Sequence, residues 1–176
     1  MPSPFELTDE QFRELMRCSV LYRKQADKCR DAKSYLASCV MIGAALEAEL
    51  VAICHLYSDE ISAETLSRCL RRRDKPLLNW TLSELVNVAR ACDWLPAGLS
   101  LDEEWDQARA KIGDYAEVVR QTRNLVHVGC YLRDFAGKRV AKRRAERCFE
   151  ILEVASDYLV AKINTSLRAA FDNGEL

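Results

Sequence analysis

Apolar side chains recur along this chain at spacings of three and four, and nowhere in the strict alternation of a half-buried strand. Phe12, Leu15, Met16, Tyr22 and Ala26 share one side of a first helix, and Thr8 followed by Gln11 is the capping-box signature that opens it. The helix is expected to run to about Lys28, with a turn between Arg30 and Lys33 that neither Gly nor Pro marks. From about Ser34 to Tyr57 the pattern changes. Leu36, Val40, Met41, Ala44, Ala45, Leu46, Leu50, Val51 and Ile53 leave scarcely any polar face, which predicts a helix in the middle of a bundle.

A short helix is expected over Ser62 to Arg73, growing strongly basic (RCLRRRDK) before Pro76 stops it. Thr81 with Glu84 forms a second capping box ahead of Leu82, Leu85, Val86, Val88 and Ala89, and this helix should end before Trp94 and Pro96. After a turn over Pro96 to Ser100, Asp102, Glu103 and Glu104 provide the acidic first turn that a helix dipole favours. The seam of that helix is Trp105, Ala108, Ile112, Tyr115, Val119, Thr122 and Val126, and Gly129 suits a left-handed cap at its end. A final helix from about Lys138 to Ala170 carries Val140, Phe149, Leu152, Ala155, Leu159, Ile163 and Leu167. The expectation is a single all-α domain over residues 1–176, with 1–7 as an extended lead-in and 171–176 as a tail. Four long helices would form its up-and-down bundle, with two short ones added.

Composition narrows the picture without changing it. At 176 residues the chain is long enough to bury most of its apolar surface without staples. A net charge of -1 removes any global field that would announce nucleic acid, so such contacts must come from local patches. The cysteines, at 18, 29, 39, 54, 69, 92, 130 and 148, show no C-x-x-C and no zinc-type spacing to a histidine. Reduced, half-buried thiols are expected. Met1 to Thr8 lacks a basic start and an apolar core, so no signal peptide is expected. The run Ala37 to Ala48, broken by Ser38 and Glu47, is too short to cross a bilayer, and a soluble cytoplasmic protein without a membrane partner follows as the expectation.

The chemistry worth weighing lies in Arg120 to Tyr131, RQTRNLVHVGCY. On a helix Arg120 and His127 look the same way with a rise of about 10 Å between them, and Arg123 and Asn124 complete one contiguous polar stripe. The stripe lies on the flank of the apolar seam, where Gly113 and Ala116 would let a second helix approach closely, so it is expected to line a groove or a subunit contact. Glu47, Glu49 and His55 are the other cluster that tempts an acid–base or metal reading. Glu47 and His55 share a face but stand about 12 Å apart along the axis, which favours a structural role. A pairing of Glu47 with an arginine of the stripe is the contact to look for.

Arg120 and His127, with six residues between them, resemble the R-x4-6-H motif of the HEPN superfamily, helical-bundle proteins that include metal-independent endoribonucleases. The pair Arg123-Asn124 also resembles the Arg-Asn of many members, so either arginine can be the motif residue. CRDAKSYLASCVMIGAALEAEL resembles the long second helix of HEPN-like bacterial proteins. The resemblance implies RNA cleavage by the substrate's own 2′-hydroxyl, with no cofactor. His127 would then be the general acid or base. Arg120 or Arg123 would hold the scissile phosphate, and Asn124 would orient it or the imidazole. It also implies a homodimer with a composite site, and a toxin or defence role with a cognate inhibitor protein as partner.

Two basic segments are candidates for the rest of an RNA strand: Arg71, Arg72 and Arg73, and Lys138, Arg139, Lys142 and Arg143 in KRVAKRRAER. Solvated charged faces are the plainer reading of both. In the second segment the basic residues occupy a helix start, where the dipole favours acidic ones, and that invites a functional reason. The competing classes are a non-catalytic interaction module, in which the stripe fixes a dimer's register, and a nucleotide-binding regulator.

Overall fold

A computed structural model describes residues 6–72, 75–95 and 142–172. Among these the regular elements are all helical: α1 (Asp9–Asp31), α2 (Tyr35–Leu56), α3 (Ala63–Cys69), α4 (Leu82–Ala91) and α5 (Lys142–Asp172), with single 3-10 turns at Ser58–Glu60 and Leu77–Asn79. The helix expected over 102–129, together with Gly113 and Ala116, lies outside the described residues.

Both capping boxes form. The Thr8 hydroxyl accepts from the Gln11 amide while the Gln11 side chain accepts from the Thr8 amide, and Thr81 and Glu84 repeat the arrangement at α4. Each box ties down backbone donors that the first helical turn leaves without partners. At the other end α1 continues to Asp31, and Lys33 closes it with a φ of 59°. The Ser34 amide donates to Cys29 and the Lys33 amide to Arg30, the paired bonds of a Schellman cap. Asp93, also at φ 59°, ends α4 in the same way, with Trp94 donating to Ala89 and itself to Arg90.

α2 is the hub. It packs against α1, α4, α5 and the second 3-10 turn, and Ile42, Leu46, Leu50 and Ile53 are fully buried along it. Its 22 residues are apolar and long enough to cross a membrane by length and composition alone, a longer apolar helix than the run Ala37 to Ala48 indicated. Most of its length faces other helices of the chain. α5 adds Ala145, Cys148, Ile151, Leu152, Ala155 and Leu159 to the same core, and α4 adds Leu85, Val86, Val88 and Ala89.

Three sequence expectations need correction. Met16 and Leu36 were placed on buried faces, yet each is more than a third exposed. α3 stops at Cys69, because Leu70 turns extended and buries its side chain, so Arg71 and Arg72 lie beyond the helix and only Arg68 serves its last turn. α5 runs to Asp172, two residues into the expected tail.

Candidate functional site

Arg120, Arg123, Asn124 and His127 lie outside the described residues, as do Arg73, Lys138 and Arg139. The second candidate cluster is described, and it separates into two unrelated arrangements. Glu49 is buried where α1, α2 and α5 meet. Its Oε1 accepts from Arg23 Nε at 2.9 Å, from Arg23 Nη2 at 2.7 Å and from Ser19 Oγ at 3.0 Å. Ser156 Oγ donates to the other carboxylate oxygen and accepts from Arg23. A carboxylate this well supplied with donors is a structural anion, because the charge-assisted bonds replace the water it has lost. The arginine that pairs with Glu49 is thus Arg23 of α1, whereas the expected pairing of Glu47 with an arginine of the stripe falls on residues outside those described.

The sequence carried a signal for the α1 side of this network alone. Ser19 and Arg23 are one turn apart and fall on the same side of the wheel as Phe12 and Ala26, so two polar residues sit within a buried face.

His55 has a different task. Its Nδ1 accepts the Leu7 amide at 3.2 Å, and its ring lies 5.5 Å from that of Phe12. The imidazole therefore docks the residues leading into α1 onto the end of α2. Glu47 is half-buried on α2. Among the described residues no group of three or more His, Cys, Asp or Glu is placed to hold a metal ion.

The first basic segment is partly engaged in holding the fold. Lys75 Nζ lies 2.8 Å from Glu84 Oε2, which also accepts from the Thr81 amide at 2.7 Å and the Thr81 hydroxyl at 2.9 Å. Burial pushes the Glu84 carboxyl upward, but the bonds from Lys75, from Thr81 and from the Arg71 backbone outweigh it and hold the pKa down at about 2. Arg71 and Arg72 project from the exposed segment after α3, and Lys142 and Arg143 stand exposed on the first described turn of α5, where Lys142 lies 3.4 Å from Glu146.

α1 presents an exposed apolar face. Met16, Val20 and Leu21 are 37%, 50% and 52% exposed. With Phe12, Arg13, Arg17 and Lys24 they line a groove of about 540 Å³. The sequence pattern put Phe12 and Met16 on the core-facing side of this helix and assigned Val20 and Leu21 no role.

No family model matches the chain, and no curated protein or solved structure matches it. The likeness to the HEPN superfamily therefore rests on the stripe and on the helical pattern.

Proposed function

We propose that this protein is a metal-independent endoribonuclease of the HEPN type, acting as a cytoplasmic homodimer on single-stranded RNA. The observation that carries the reading is the sequence RQTRNLVHVGCY, in a chain whose described residues are helical around one apolar hub. His127 is the general acid or base. Arg120, with Arg123 as its alternative, stabilises the charge that develops on the phosphorane, and Asn124 orients the phosphate or the imidazole. The full bundle has four long helices, and the third in chain order, over 102–129, bears the stripe. Arg71, Arg72, Arg73, Lys138, Arg139, Lys142 and Arg143 hold the strand through its phosphates.

End-labelled RNA incubated with excess EDTA tests the proposal. Losing a positioned acid–base group typically costs about 10² to 10⁴ in rate, so His127→Ala should abolish detectable cutting. Whichever of Arg120→Ala and Arg123→Ala loses more identifies the motif arginine. Cleavage that persists in His127→Ala, or no cleavage by any form across a broad RNA panel, rejects the enzyme.

One observation favours a second reading, a non-catalytic interaction module. The exposed Met16, Val20 and Leu21 beside Arg13, Arg17 and Lys24 are the composition of a contact surface rather than of a solvated face.

A further inference from the structure

The groove on α1 is built from two neighbouring rows of the helix surface. Phe12, Met16, Val20 and Lys24 follow one another at a spacing of four, Arg13, Arg17 and Leu21 do the same beside them, and the two rows account for its described lining. Rows of this kind are the ridges between which a second helix seats its own side chains. Met16, Val20 and Leu21 stand exposed together in the middle of the groove, while Leu36, Leu56 and Leu78 are exposed singly on α2 and the second 3-10 turn. A contiguous apolar surface marks a contact, whereas single exposed residues do not. From Arg13 to Lys24 the groove runs about 16 Å, the length of three helical turns.

We propose that this groove docks an acidic amphipathic helix of another protein. The proposal rests on the interaction-module reading as far as α1 is a contact surface, and it holds whether or not the stripe cleaves RNA. Aliphatic residues one turn apart on the partner fill the space between Met16, Val20 and Leu21, and carboxylates beside them meet Arg13 and Arg17 along one edge and Lys24 at the end. The contacts these cations already make are weak. Arg13 donates its Nε to the Asp9 carbonyl at 3.2 Å. Arg17 Nη1 lies 3.5 Å from Glu14 in a pair whose side chains are 79% and 64% exposed, so water weakens it and a partner carboxylate can replace it. Lys24 holds no ion pair among the described residues.

The charges also separate this occupant from others. A second copy laid antiparallel about Val20 and Leu21 sets Arg17 against Lys24, and like charges oppose it. Glu10 and Glu14 stand exposed beside Arg13 and Arg17, so a flat anionic bilayer would meet both signs at once. A helix seated between the rows reaches the arginines first, because the glutamates line the next groove round α1, on the far side of them.

The test displays a library of three-turn helices on phage, with the contact face randomised among Leu, Ile, Met, Glu, Gln and Lys, and selects it on the full chain. Winners should carry an aliphatic row flanked by Glu, and a synthetic winner should shift the methyl resonance of Met16. Changing its Glu residues to Gln should weaken binding on the order of tenfold, the combined effect of three exposed ion pairs, and changing them to Lys should weaken it further. Arg13→Glu together with Arg17→Glu should make the Lys peptide the better binder, with the helical circular dichroism unchanged, and Val20→Asp should abolish binding of both. Winners with uncharged or basic flanks would overturn the acidic partner while leaving α1 a contact surface. An absence of winners that depend on Val20 would overturn both. Self-association of the free chain, or preference for phosphatidylserine over phosphatidylcholine vesicles, would overturn the proposal if Val20→Asp abolished it, by giving the groove to a second copy or to a membrane.

Discussion

Lys33 and Asp93 both occupy the left-handed region at a helix end, and both sit where glycine is the usual residue. A lysine carries the full Cβ penalty there, whereas an aspartate tolerates the conformation better. Lys33→Gly should therefore stabilise the protein by about 0.5 to 1 kcal/mol, and Asp93→Gly by less. A fall in melting temperature for Lys33→Gly would contradict this. Glu84 sets an acid limit. Its folded pKa of about 2 lies below the ordinary 4.5, so its contribution is present above pH 4.5 and is lost as pH falls from there toward 2. The difference corresponds to roughly 3 kcal/mol. Denaturant titrations of Glu84→Gln should show a flatter stability profile over that interval, and an unchanged slope would count against the assignment.

At the scale of elements, the junction of α1, α2 and α5 depends on one buried anion. Removing Arg23 leaves the Glu49 carboxylate without its main partner, and one-sided deletions of this kind cost about 3 to 5 kcal/mol. Arg23→Met should fall at the low end, because the Arg23 side chain is 36% exposed and water screens part of the loss. Arg23→Met combined with Glu49→Leu should recover much of the stability, since no charge remains to desolvate. If the double variant unfolds more readily than Arg23→Met alone, the network holds the helices by more than charge balance. Leu50, fully buried on the hub helix, supplies the apolar comparison, with Leu50→Ala expected to cost about 2 to 5 kcal/mol.

For the whole molecule, the expected homodimer should sediment at twice the 20.1 kDa chain mass. A species of single-chain mass alone at micromolar concentration would remove the composite site from the proposed mechanism. The face of α1 is poorly suited to pair with itself antiparallel around Val20 and Leu21. That arrangement sets Arg17 against Lys24 and Arg13 against Lys28, and like charges facing one another oppose it. A dimer formed through the proposed stripe should therefore survive Val20→Asp, which breaks the α1 face, and dissociation of that variant would locate the interface on α1.

How much of this was legible in the sequence follows from the range of the interactions involved. Helix formation, the boxes at Thr8 and Thr81 and the central place of α2 were all determined by residues three or four apart, because capping and amphipathic period are local properties. The all-α class follows from them. Only the tertiary structure decided that Glu49 is an internal anion, since its partners Arg23 and Ser156 are 26 and 107 residues away. The same holds for the exposure of Met16 and Leu36, whose periodic spacing matches that of their buried neighbours and differs only in what packs opposite. It holds again for the end of α3. Leu70 gains more by entering the core in an extended conformation than by continuing a short helix of arginines, and that choice moved Arg71 and Arg72 off the helix and brought the Arg71 backbone to Glu84. Burial of a polar or charged group depends on donors that chain folding brings from elsewhere, and those cannot be read from the periodicity of one segment.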